Sequence, residues 1–220
     1  MNASSLVRTY RGLTLFALCL LVPMSGCVGL MAQMLYWSGA GKLKAAFGGL
    51  EKKRVAVICV SDSSSFGLGT DSLQLARMVA GTLKENVKEI KVVRPDEIAD
   101  WIDRHDWNEV DFAEVGRGVS ADFVVAVELT SFSLYEGQTL YRGRANVKVR
   151  VLDIKAGGHE VFSRKLNEIT YPTSGGYSTT DSSEAKFRAA FLKNLADQVS
   201  LLFYDHDPWD EYSSDPASID

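Results

Sequence analysis

Residues 123 to 154 read FVVAVELTSFSLYEGQTLYRGRANVKVRVLDI. From Leu140 to Ile154 the run alternates strictly. Ala145, Val147, Val149 and Val151 form one set, and Arg144, Asn146, Lys148 and Arg150 form the other. Successive side chains of a strand point to opposite faces, so this pattern predicts a strand with one dry face and one wet face. Phe123 to Leu134 predicts a second long strand whose inward set changes parity between Leu129 and Phe132, the mark of a bulge. Glu136-Gly137 turns the chain between the two. Ala156-Gly157-Gly158 closes another hairpin, and Val161 to Leu166 forms a third antiparallel strand.

Upstream, Arg54 to Val60 (RVAVICV) is continuously apolar and β-branched, which predicts a strand buried on both faces and central in its sheet. Leu73, Ala76, Ala80, Leu83 and Val87 recur at helical offsets behind a cap at Asp71 or Ser72. Ile90 to Val93 is a short strand. Pro95 opens a helix with Asp96 and Glu97 in its first turn and with Ile98 and Trp101 or Ile102 inward. A further helix runs from about Val110 to Arg117, with Asn108 or Glu109 near its start, and stops at Gly118. Residues 167 to 180 carry no period. The last helix opens with Asp181 and Glu184, close to a capping box, and buries Phe187, Phe191, Leu195, Val199 and Leu202. The expectation is a single α/β domain over residues 54 to 203, with a mixed β-sheet packed by helices. A parallel crossover unit is followed by an antiparallel meander, and no internal repeat is visible.

The N-terminus speaks of destination. Arg8 and Arg11 precede an apolar run from Leu13 to Val22, and then come Pro23-Met24-Ser25-Gly26-Cys27. A positive start, an apolar stretch and a small-residue site describe an export signal over residues 1 to 26. Ser25-Gly26 directly before Cys27 resembles the lipobox of bacterial lipoproteins. That resemblance implies cleavage after Gly26 and a lipid on the sulfur of Cys27. The rival is one uncleaved spanning helix over residues 13 to 37, interrupted by Pro23, Gly26 and Gly29. Both readings put the domain outside the cytoplasm. Val28 is not the acidic residue some bacteria use for inner-membrane retention, which leans towards an outer-membrane address. Residues 27 to 53, rich in glycine and serine after position 37, read as a lipidated N-terminus and tether. Tyr36-Trp37 could rest at headgroup level or pack on the domain.

Charge excludes one class of partner. The chain has 220 residues, 24 Lys or Arg and 28 Asp or Glu. Two of the basic residues lie in the signal, and six acids lie in residues 205 to 220, so the body from 27 to 204 holds 22 of each. A neutral body argues against nucleic acid, which needs a basic footprint. The acidic, proline-interrupted stretch 204 to 220 is expected to be a disordered tail. Of three cysteines, Cys19 leaves with the signal and Cys27 would be acylated, leaving Cys59 with no partner for a disulfide.

A family resemblance rests on the lipobox, on RVAVICVSD, on Gly118-x-x-Ala121-Asp122 leading into FVVAVEL, and on YRGRANVKVRVLDIKAGG. Together these resemble the bacterial envelope group that contains CsgG, LpoB and the N-terminal domain of TolB. The similarity covers roughly residues 54 to 203. It implies a non-enzymatic envelope protein that works through protein contacts. The chain departs from the channel-forming branch, because the candidate insertions at 61 to 70 and 167 to 180 are too short and too polar for spanning hairpins.

Catalytic, cofactor and metal sites find little footing. The loop from Ser61 to Thr70 follows a buried strand and precedes a helix, where phosphate loops occur. Ser72 stands where a dinucleotide fingerprint wants its third glycine, and no Gly-Lys-Ser/Thr is present. Ser63 to Ser65 lack a Gly-x-Ser-x-Gly frame, and His105, His159 and His206 sit at scattered positions. Cys59 lies within a buried strand, where a free cysteine behaves as a small apolar residue. No cysteine pair or histidine spacing suggests a metal, and the tail acids lack the glycine and final glutamate of a calcium loop.

The leading expectation is therefore a membrane-anchored envelope lipoprotein whose periplasmic domain is an interaction or assembly module. No cofactor is implied, and a homo-oligomer is possible. Candidate partner contacts are Ser63, Ser64 and Phe66 in the first loop, Arg144, Lys148 and Arg150 on the polar strand face, and Trp209 and Tyr212 as a docking motif in the tail. Two alternatives stay open: a subunit of an oligomeric membrane-associated secretion or transport complex, and a small-ligand or enzymatic module using the loop from Ser61 to Thr70.

Overall fold

The computed structural model describes residues 41–61, 69–105 and 111–211. The predicted mixed sheet is present. Strand β1 (Arg54–Ser61) pairs in parallel with β2 (Lys91–Val92) on one side and with β3 (Phe123–Glu136) on the other. β4 (Leu140–Asp153) returns antiparallel to β3. The outer side of β4 is shared. Its C-terminal half pairs with β5 (His159–Lys165), and its N-terminal half pairs with β6 (Ile169–Tyr171) and β7 (Tyr177–Ser178).

Helices cover both faces of the centre. Val55, Val57 and Cys59 of β1 enter one core with Leu75, Val79 and Leu83 of α1 (Thr70–Asn86). Phe187, Phe191 and Leu195 of α4 (Glu184–Ser200) complete it. Ala56 and Ile58 point the other way, to Ile98 and Ile102 of α2 (Pro95–Arg104) and to Phe112 and Val115 of α3 (Phe112–Gly118). This is the two-faced burial that the unbroken apolar run of β1 requires. α3 is capped by Asp111, whose carboxylate accepts from the N–H groups of Ala113 and Glu114 at 2.8 and 3.0 Å.

The parity change in β3 is a bulge. Leu129 pairs with Val147 and Phe132 with Ala145, so three steps on β3 match two on β4. The extra residue returns Phe132 to the α4 face, where its ring stacks 5.4 Å from that of Phe191. The β3–β4 ladder shifts again between Ser133 and Tyr135, and a further irregularity lies in β5, where Phe162 opposes Val151 and Glu160 opposes Leu152, with Val161 extra and exposed. Gly118 matters for close approach: a Cβ there would lie 2.1 Å from Trp101 Nε1.

Several boundaries differ from the sequence reading. α1 begins at Thr70 behind Gly69, and Asp71 lies inside its first turn, where it pairs with Arg188. α4 begins at Glu184, capped by Ser183, whose Oγ accepts from Lys186 N–H at 3.3 Å, so Asp181 stands outside the helix. Ile98 and Ile102 are the buried residues of α2, while Trp101 is half-buried and stacks on His105 at 4.1 Å. The stretch 167 to 180, expected to be patternless, contributes β6 and β7.

The domain also extends beyond 54 and 203 at both ends. Leu43 and His206 exchange backbone hydrogen bonds of 2.8 and 3.1 Å. Phe47 packs on Phe123, Phe162 and Phe203, and Leu50 is fully buried. Residues 43 to 53, expected in the tether, and 204 to 211, expected in the tail, are therefore folded parts of the body. Their apolar residues are too widely spaced to show a period, yet Leu50 has a core position to fill and Phe47 and Tyr204 pack against that core.

Candidate functional site

The sequence-predicted contact residues divide sharply. Gly26, Cys27, Ser63, Ser64, Phe66 and Tyr212 lie outside the described residues. Arg144, Lys148, Arg150 and Trp209 lie within them.

On the polar face of β4 the arginines serve the fold. Glu136, at the far end of β3, accepts from Arg142 Nη1 at 2.9 Å and from Arg144 Nη2 at 2.8 Å. The Arg142 hydrogen bond, with the charges of both guanidiniums, holds Glu136 below the usual carboxylate range. Arg150 binds Glu128 diagonally across the pair of strands, its own register partner being Ala126, and reaches Glu160 at 3.6 Å. Its guanidinium also lies 5.1 Å above the ring of Phe112, a cation–π contact that ties α3 to the sheet. Arg150 is thus a tie between elements, and its charge is spent locally. Lys148 faces Glu128 across the ladder without an ion pair among the described residues, which leaves it the better contact residue of the three.

Trp209 is 77% exposed. It stands on a 3-10 turn (Pro208–Glu211) in which Trp209 N–H donates to Asp207 Oδ1 at 3.0 Å and Asp207 N–H to Asp210 Oδ2 at 3.0 Å. The acids that read as a solvated tail organise this turn and hold the indole out.

The remaining reactive groups are scattered or silent. Cys59 is completely buried, and burial pushes its thiol upward, away from thiolate chemistry. His105 ends α2, His159 begins β5, and His206 lies beyond α4. Among the described residues no group of three or more His, Cys, Asp or Glu is placed to hold a metal ion. Asp122, at the start of β3, accepts from Arg54 N–H at 2.7 Å and pairs with Lys155 at 2.5 Å. The backbone donor first, and then the lysine, hold its carboxyl below the ordinary value.

One surface feature was not anticipated. A cleft of about 940 Å³ runs beside the β5–β6 edge. Residues 164 to 170 and Thr173 form one wall. Asn194 and Gln198 of α4, with Leu201 and Leu202 just after it, form the opposite wall, and Leu43, Lys44, Ala46 and His206 close one end. Sequence reasoning missed it because it forms only where stretches taken as tether, loop and tail meet the predicted last strand and last helix. The one available signal was the short β-branched and aromatic run Ile169-Thr170-Tyr171.

No family model matches the sequence, and no curated protein matches it. Among solved structures, the chain is similar to the PelC dodecamer subunit from Paraburkholderia phytofirmans, with a TM-score of 0.46 and 13% identity over 74% of this chain and 95% of that one. It is also similar to lipoprotein GNA1162 from Neisseria meningitidis, with a TM-score of 0.42 and 13% identity over 67% and 97% of the two chains. The LpoB C-terminal domain from Salmonella enterica follows, with a TM-score of 0.39 and 10% identity over 64% and 93%. At these identities and TM-scores the likeness defines no family and assigns no role. The function has to be read from this chain's own residues.

Proposed function

We propose that this chain is an envelope lipoprotein, cleaved after Gly26 and lipidated on Cys27, whose α/β domain works by binding other envelope proteins rather than by catalysis. The observation that carries it is Ser25-Gly26-Cys27 behind a basic, apolar leader, followed closely by a folded body. Residues 28 to 42 separate that cysteine from Leu43, a reach of about 50 Å when fully extended. The domain would stay within that distance of the bilayer. Val28 favours the outer membrane as its address. The contact reading draws on Lys148 and Trp209, which are available at the surface, and on the scatter of the reactive side chains.

Metabolic labelling with an alkyne fatty acid, followed by membrane fractionation, tests the anchor. The Cys27→Ser chain should lose the label and leave the membrane pellet. If it keeps both, residues 13 to 37 are a spanning helix and the lipobox reading fails. Photo-crosslinkers at positions 148 and 209 test the contact half: envelope proteins captured from either position support it, and silence at both positions counts against it.

A further inference from the structure

We infer that the open β5–β6 edge beside the cleft is a docking groove for an extended acidic segment of a partner protein, which joins the sheet as an added strand. The inference deepens the protein-contact reading and rests on it.

The first ground is the edge. Among the described residues β5 and β6 each pair with β4 and with no other strand. A strand with one neighbour leaves half of its backbone N–H and C=O groups aimed outward, ready to template another chain. The second ground is the shape of the cleft. Arg164 and Lys165 at the end of β5, Ile169 and Thr170 of β6 and the loop 166 to 168 that joins the two strands all line it. The adjoining ends of both edge strands thus border the cleft, and the end of α4 lines it as well. A groove between a strand edge and a helix is the geometry in which main-chain pairing gives affinity and side-chain pockets give selectivity.

Charge selects the occupant. Lys44, Arg164 and Lys165 line the cleft against a single acid, Glu168. Lys44 binds Asp205 at 2.6 Å, while Arg164 and Lys165 are exposed and make no ion pair among the described residues. Cations on an edge normally guard it against strand pairing. They repel the same edge of a second copy, and they attract a strand that carries carboxylates. Leu166, Ile169, Leu201 and Leu202 add apolar lining, so the fitting segment alternates acidic with apolar residues.

The test uses the full-length chain in detergent and a fluorescent seven-residue peptide alternating glutamate and valine. A lysine–valine peptide and a backbone N-methylated glutamate–valine peptide serve as controls. The expected result is saturable binding of the acidic peptide alone, with slowed amide exchange over residues 164 to 170. The Arg164→Glu/Lys165→Glu chain should bind it about tenfold or more weakly. Should that variant fail to fold, the N-methyl comparison on the unaltered chain still decides. Equal binding of the N-methylated peptide overturns strand addition, and equal binding of the basic peptide overturns the charge argument. Absence of saturable binding up to millimolar peptide overturns the proposal, as does charge-dependent binding of phosphatidylglycerol vesicles without peptide binding. Lys148 pairs directly with Lys165, whereas Trp209 does not line the cleft, so capture from position 209 leaves the wider contact reading standing if binding at this edge fails.

Discussion

Gly143 lies near the start of β4, on the face where α4 packs, and a Cβ there would fall 2.5 Å from the ring of Phe191. That ring cannot give way easily, because it is fully buried and stacks on Phe132, Tyr171 and Phe187. Gly143→Ala should therefore cost about 1–3 kcal/mol, the usual penalty for forcing an extra methyl group into a packed core, read as a lower denaturant midpoint. Asp122 carries a different kind of constraint. Its folded carboxyl titrates below the ordinary aspartate value, chiefly through the Arg54 N–H and secondly through Lys155. The stabilisation is complete above the unfolded value of about 3.9 and disappears as pH falls through the lower folded value. Thermal melts of the parent chain should fall across that acid window. Asp122→Asn should be less stable at neutral pH and should lose part of that acid dependence. Equal slopes in the two chains would contradict this.

Among the elements, β1 and β4 were the most legible, because burial on two faces or on one writes itself directly into an apolar run or an alternation. The bulge in β3 was legible for the same reason: an inserted residue must break the alternation at the point where it sits. The short strands β6 and β7 were not. Three and two residues carry almost no period, and these strands exist because the N-terminal half of β4 extends past β5 and offers its edge. Helix starts shifted by one to three residues, since several Ser, Thr and Asp residues near a start compete to cap it and packing chooses among them. At α4 the choice fell on Ser183. Ser183→Ala should cost about 1 kcal/mol, and Asp181→Ala, outside the helix, should stay within about 0.5 kcal/mol. Urea denaturation of the two variants checks the assignment, and the reverse ranking would restore Asp181 as the cap.

At the scale of the whole domain, residues 43 to 53 and 204 to 211 fold into the body. Phe47 illustrates this, with its ring 5.5 Å from Phe162 and 6.1 Å from Phe123 in a region that sequence reasoning assigned to a tether. Phe47→Ala should cost about 2–4 kcal/mol, somewhat less than full truncation of a buried phenylalanine, whereas a residue in a true tether would cost nothing measurable. Of the candidate contact surface, the polar face of β4 could be read from the alternation of Arg144 to Arg150. The pairing that consumes Arg144 and Arg150 could not, since Glu136, Glu128 and Glu160 lie elsewhere in the chain and meet those arginines only across the ladder. By itself the sequence determined the mixed sheet, the bulge, the two-faced burial of β1 and the case for a lipid anchor, because each depends on the order of neighbouring residues. Only the tertiary structure decided where the domain ends, which charges remain free and where the cleft lies. Those features arise from residues 8 to 161 positions apart, brought together by packing that no local pattern records.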